Sequence, residues 1–177
     1  NSSAIPLIEE SLGTGMKLVN PMRVKLTELQ AADALVTLGD QSEVEPIRAA
    51  LFAPIEQGEL TILACGMIGE IGDGQAKPML ERLITAEGNQ RRPPEIRIAA
   101  ARALFMLGEP YLPSLEQVIS QNLGSKDGRI RVQSVAALAK VPGKESFDLL
   151  EGLLLDPDPL VSTMAASAIL SRERDLP

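Results

Sequence analysis

Few side chains in this 177-residue chain could carry chemistry. It has no histidine and a single cysteine, Cys65, set inside the apolar run from Leu60 to Ile68. Without an imidazole there is no His-based triad, and most zinc sites, which draw on His or on several Cys, are excluded as well. A lone cysteine cannot close a disulfide within the chain. A reactive thiolate needs an exposed, basic setting, so Cys65 reads as a small buried hydrophobe. The acidic pairs Glu9-Glu10 and Glu43/Glu45 have no recognisable acid or base beside them and read as solvated helix faces. Asp156-Pro157-Asp158 offers two carboxylates to a cation, but two acids around a proline read as a turn. Gly72-Asp73-Gly74 and Gly13-Thr14-Gly15 lack the full spacing of a phosphate or dinucleotide loop; the first reads as a helix cap with a turn, the second as a loop. No catalytic, metal or cofactor-binding set emerges, so the chain is expected to be non-enzymatic and to need no cofactor.

The elements around these residues are helical. Apolar residues make up 45% of the chain, which rules out a disordered polymer, yet there is no Trp, one Tyr and three Phe. The core must come from Leu, Ile, Val, Met and Ala, and alanine both favours helices and lets them approach closely. The net charge of −7 argues against a nucleic-acid backbone as the main partner. No apolar run is long enough to span a membrane as a helix. The first residue is Asn1, not Met, which points to a processed segment, extracytoplasmic or lipoprotein-derived, with a cytoplasmic chain as the alternative.

The chain repeats itself. Ala34-Leu35-Val36-Thr37-Leu38-Gly39-Asp40, Met67-Ile68-Gly69-Glu70-Ile71-Gly72-Asp73, Ala103-Leu104-Phe105-Met106-Leu107-Gly108-Glu109 and Ala137-Leu138-Ala139-Lys140-Val141-Pro142-Gly143 end alike, and steps of 33, 36 and 34 residues separate Gly39, Gly72, Gly108 and Pro142. Met164 to Leu170 begins a fifth unit. Each unit opens with a helix bearing small residues on one face, ends it at a glycine suited to a left-handed cap, and continues into a second amphipathic helix. These second helices are predicted over 43–52, 76–84, 112–119 and 145–155. A single hairpin cannot bury its apolar face alone, and stacking buries it, so the expected fold is all-α: a right-handed α-α superhelix of about five helical hairpins. The expected layout is one domain, with a capping segment over 1–22, repeats over 23–171 and a polar tail over 172–177.

Asp127-Gly128-Arg129-Ile130-Arg131-Val132-Gln133-Ser134-Val135-Ala136-Ala137-Leu138 and Ile96-Arg97-Ile98-Ala99-Ala100-Ala101-Arg102-Ala103-Leu104 carry a pattern of acid-x-x-Val-Arg-x-x-Ala-Ala-x-Ala-Leu. This resembles the HEAT-like repeats, in particular the short bacterial repeats of the phycobilin-lyase type, over roughly residues 24–171. Units one, two and five depart from it, with Thr27-Glu28, Leu60-Thr61 and Val161-Ser162 in place of Val-Arg. Relatives with activity on such scaffolds include deoxyhypusine hydroxylase, whose di-iron site needs histidines that this chain lacks. HEAT-like DNA glycosylases work beside a basic cleft, which the net charge disfavours.

The resemblance implies that the first helix of each unit lines the concave side and that certain positions on it face a groove. Those positions hold Gly58, Glu59, Ile62, Leu63 and Gly66 in unit two, and Pro94, Glu95, Ile98, Ala99 and Arg102 in unit three. In unit four they hold Gly128, Arg129, Val132, Gln133 and Ala136. Leu29 in unit one and Met164 in unit five complete the series. Leu29, Ile62, Leu63, Ile98, Val132 and Met164 would form an apolar stripe, with Arg102, Arg129 and Gln133 as its polar members. Packing between neighbouring units competes for the same side chains. Arg97 and Arg131 are expected to tie units together, with Asp127 four residues before Arg131 at ion-pair spacing. The expected function is a protein-interaction scaffold for a peptide or partner protein, with self-association allowed. A lyase-like or chaperone role toward a cofactor-bearing protein and a structural domain of a larger envelope protein are the alternatives.

Overall fold

The computed structural model describes residues 20–108 and 113–174. Residues 1–19 of the expected capping segment, with Glu9-Glu10 and Gly13-Thr14-Gly15, lie outside them, while its residues 20–22 cap and open the first helix. Among the described residues the structure is helical throughout: α1 (Pro21–Thr37), α2 (Val44–Ala50), α3 (Gly58–Ile71), α4 (Lys77–Thr85), α5 (Pro94–Met106), α6 (Pro113–Leu123), α7 (Gly128–Leu138), α8 (Lys144–Gly152) and α9 (Pro159–Arg174), with short 3-10 turns between several of them. The odd-numbered helices are the first, or A, helices of successive units; α2, α4, α6 and α8 are the B helices. The four A–B hairpins and the half unit α9 form the α-solenoid that the repeat pattern predicts.

The local signals act as their chemistry requires. Gly39, Gly72, Gly108 and Gly143 all take positive φ, between 70° and 107°, a region closed to most side chains but open to glycine. Pro21 and Pro94 begin α1 and α5, where a missing N–H costs nothing. Asn20 caps α1 by accepting from the Met22 amide at 2.9 Å. Asp40 and Asp73 follow their glycines and accept from the amides of Ser42 and Gln75, starting the turn into each B helix.

The A helices stack on one another from α1 to α9, and each B helix packs against the A helix of the next unit. Their contact faces are small: Ala64, Ala100, Ala101, Ala103, Ala137 and Ala165 are all essentially fully buried. Gly69 takes this to its limit, because a Cβ there would meet Met106 Sδ at 3.0 Å and Ala103 Cα at 3.3 Å. Ile47, Ile68, Leu80, Ile96, Leu104, Ile119 and Leu150 fill the space between layers.

Helix α9 runs to Arg174, into the segment assigned to a polar tail. Arg172 has a structural role there. Its guanidinium donates to Leu138 O at 2.6 Å, to Val141 O, and to Ser146 Oγ at 3.0 Å, covering carbonyls at the end of α7.

Candidate functional site

The A helices α3, α5 and α7 leave a small cleft where they meet, with room for about 90 Å³. Its apolar wall is Ile62 and Gly66 from α3, Ile98, Ala99, Ala103 and Met106 from α5, and Ala136 from α7. The polar members are Glu95 and Arg102 from α5 and Gln133 from α7. Helical geometry explains the set. Glu95, Ala99, Arg102 and Met106 recur at intervals of three or four and share one face of α5; Gln133 and Ala136 do the same on α7, and Ile62 and Gly66 on α3.

Two atoms in the cleft are chemically unsettled. Arg102 Nε and Gln133 Oε1 are buried, and neither has a hydrogen-bond partner among the described residues. A buried donor or acceptor without a partner costs roughly 1–3 kcal/mol, so such atoms are rare in folded proteins. Here a cationic donor and an amide acceptor share one cleft. Toward the N-terminal end of the same layer the surface is acidic: burial, and then the nearby charge of Glu70, raise the carboxyl of Asp33 above its ordinary value.

The carried-over positions divide between cleft and core. Ile62, Ile98, Arg102 and Gln133 come together in the cleft, although Ile98 is 98% covered and contributes mainly to the core. Leu29 is buried in the core. Leu63, Val132 and Met164 are half-buried and pack against the core without lining the cleft. Arg129 lies outside it too. Its side chain is exposed and held by Asp127, with Arg129 Nη2 2.9 Å from Asp127 Oδ2, while Asp127 also caps α7 by accepting from the Arg129 amide. Hydrogen bonds from Arg129 hold the Asp127 carboxyl below its usual range. The continuous apolar stripe is thus a local cleft, because the rotation of each A helix is set by packing on both neighbours. Ala103 and Met106 line the cleft without having been singled out; Met106, one turn beyond Arg102, was legible from the helical period.

The remaining candidates have structural partners. The Arg131 fork meets the Asp156 carboxylate, Nε to Oδ2 at 2.9 Å and Nη2 to Oδ1 at 2.8 Å, where the sequence spacing had suggested Asp127. Asp127, as the capping residue, turns its carboxylate to the first turn of its own helix instead. Asp158 caps α9 by accepting from the Leu160 amide, so both acids of the Asp156-Pro157-Asp158 turn are engaged. Among the described residues no group of three metal-ligating side chains occurs. Burial pushes the Cys65 thiol up to about 12, which makes it inert at neutral pH.

No curated protein matches this chain in sequence. Among solved structures it is similar to an engineered protein whose crystal structure was determined as a Northeast Structural Genomics Consortium target. The TM-score is 0.58 at 18% identity, over 98% of this chain and 85% of that one. At such identity the likeness concerns the fold alone. A family model described as HEAT repeats matches residues 89–170, from the turn before α5 into α9. That match spans α5 to α9, and α1–α4 continue the same A–B stacking toward the N-terminus.

Proposed function

We propose that the chain is a non-enzymatic scaffold that binds a peptide or a helix of a partner protein on its A-helix face, at the cleft between α3, α5 and α7. One observation carries this reading: Arg102 Nε and Gln133 Oε1 are both buried and unpartnered in one apolar cleft. A donor beside an acceptor is complementary to a peptide group or a side-chain amide, and the guanidinium also suits a carboxylate. The size agrees. A cleft of about 90 Å³ takes one side chain or peptide unit, well short of the ~300–1,000 Å³ typical of cofactor and drug-sized sites. The continuous stacking of the A helices supports placing them on the inner, concave side of the array, where solenoids hold extended ligands.

Selection of peptides from a random display library on the folded chain tests this. Selected peptides should lose binding to Arg102→Glu and to Gln133→Leu while both variants keep their helical circular dichroism. Peptides that bind both variants as well as the parent would place the binding surface elsewhere.

A further inference from the structure

Thr61, Arg97 and Arg131 hold the same repeat position in units two, three and four. Each donates to a carbonyl at the end of the preceding B helix or just beyond it: Thr61 Oγ1 to Ala50 O at 3.2 Å, Arg97 Nε to Ile84 O at 3.3 Å, and Arg131 Nη1 to Ser125 O at 2.7 Å. Arg131 then uses its other nitrogens on Asp156, three residues before α9 begins. Three residues before α7 the chain has Ser125, which carries no charge. Arg97 therefore meets no carboxylate from the following turn. What it meets is another cation: burial, and then the charge of Arg91, act against the protonated Arg97 guanidinium.

Both arginines line an open cleft of about 510 Å³ between the end of α4, the turn before α5, and α6. Gln117 and Gln121, one turn apart on α6, line it, as does Glu87. Among the described residues no carboxylate, Glu87 included, lies within ion-pair distance of Arg91 or Arg97. Two adjacent, unneutralised guanidinium groups are unusual in a chain of net charge −7. Like charges side by side are unfavourable unless an anion joins them.

We propose that this cleft is an anion site that receives a carboxylate side chain from an acidic peptide segment, held by Arg91 and by the Nη groups of Arg97, whose Nε is committed to Ile84 O. The carboxylate is favoured over other anions by an internal precedent. The same repeat position in the next unit binds one bidentately, the geometry in which guanidinium and carboxylate match best. The site shares no lining residue with the cleft around Arg102, so it stands or falls independently of that one.

The test is a titration of the full ¹⁵N-labelled chain with acetyl-(Glu)4-amide, acetyl-(Gln)4-amide and inorganic phosphate, followed at the arginine Nε–H signals. The expected result is a saturable shift of the Arg91 and Arg97 signals with the glutamate peptide and none with the glutamine peptide. Affinity should fall at least about tenfold in Arg91→Gln, the loss of one charge-assisted contact. The Arg91 side chain is exposed and makes no hydrogen bond among the described residues, and its backbone bond to Gly88 O is kept in the variant, so this variant folds; Arg97 also caps α4 and is left in place. Absence of saturation, equal shifts with both peptides, or unchanged affinity in Arg91→Gln overturns the proposal. Saturation by phosphate alone overturns the carboxylate assignment in favour of a phosphate site.

Discussion

Arg48 holds Asp73 with two nitrogens, Nε to Oδ2 at 2.6 Å and Nη2 to Oδ1 at 2.8 Å, across the boundary between the first and second units. Arg48 belongs to α2, while Asp73 follows the left-handed Gly72 and also accepts from the Gln75 amide. One carboxylate thus caps a turn within its own unit and clamps the previous unit onto it. The Arg48 hydrogen bond is the main reason the Asp73 carboxyl lies below its ordinary value of 3.8, and Asp73 in turn raises the Arg48 guanidinium. Because the folded carboxyl titrates lower than the unfolded one, its contribution to stability is complete above the ordinary value and is lost as pH falls through the folded value. Urea midpoints measured from pH 7 down to pH 2 should show this loss. Asp73→Asn should remove that part of the acid dependence and cost about 1–2 kcal/mol at pH 7, since it leaves the Arg48 guanidinium with Glu45 as its one charged partner.

At Gly69 there is no room between α3 and α5 for a side chain. A methyl group there must displace Met106, with the Ala103 backbone behind it. Helix propensity alone would favour alanine at a mid-helix glycine by about 1 kcal/mol. Overpacking outweighs that gain, and Gly69→Ala is expected to destabilise by a net ~1–2 kcal/mol in chemical denaturation. Gly66, one turn earlier, has open space where its Cβ would be, so Gly66→Ala should be neutral or stabilising.

Arg102→Met separates binding from folding. If the buried, unpartnered Nε serves a ligand, the free protein bears its cost. Removing it while keeping the aliphatic stem should raise stability by about 1 kcal/mol and weaken the selected peptides. A loss of stability would mean that the guanidinium stabilises the unliganded chain, and would count against the binding reading.

Arg131→Lys keeps the positive charge but cannot reproduce the two-nitrogen grip on Asp156 together with the bond to Ser125 O. The thermal midpoint should fall. Amide exchange should quicken first in α9, the half unit whose leading turn Asp156 anchors.

Cys65 should resist a thiol reagent at pH 8 for as long as the array is folded, and react within seconds in denaturant. Its thiol is fully buried and its ionisation is pushed up to about 12 by that burial.

The helices, their order and most of their ends were readable from the chain itself, because the forces that set them are local. The period of apolar residues, the alanine faces, and the glycines at 39, 72 and 108 act within a turn or two of where they stand and did what their spacing implied, whereas Gly143 opens α8 as its N-cap instead of ending α7. The absence of histidine excluded whole classes of chemistry with no structure at all. Tertiary packing alone decided which residues share a site. Leu29 and Ile98 went to the core and Arg129 to Asp127, while Arg102 Nε and Gln133 Oε1 were left in one cleft with no hydrogen-bond partner among the described residues. Whether a position on an A helix becomes core or surface depends on how far that helix is rotated against two neighbours more than thirty residues away, and no local pattern encodes that angle. The same holds for the ion pairs. Asp127 lies at the right spacing for Arg131, but Asp156 takes it, because the stacking of one unit on the next brings the later turn to the guanidinium.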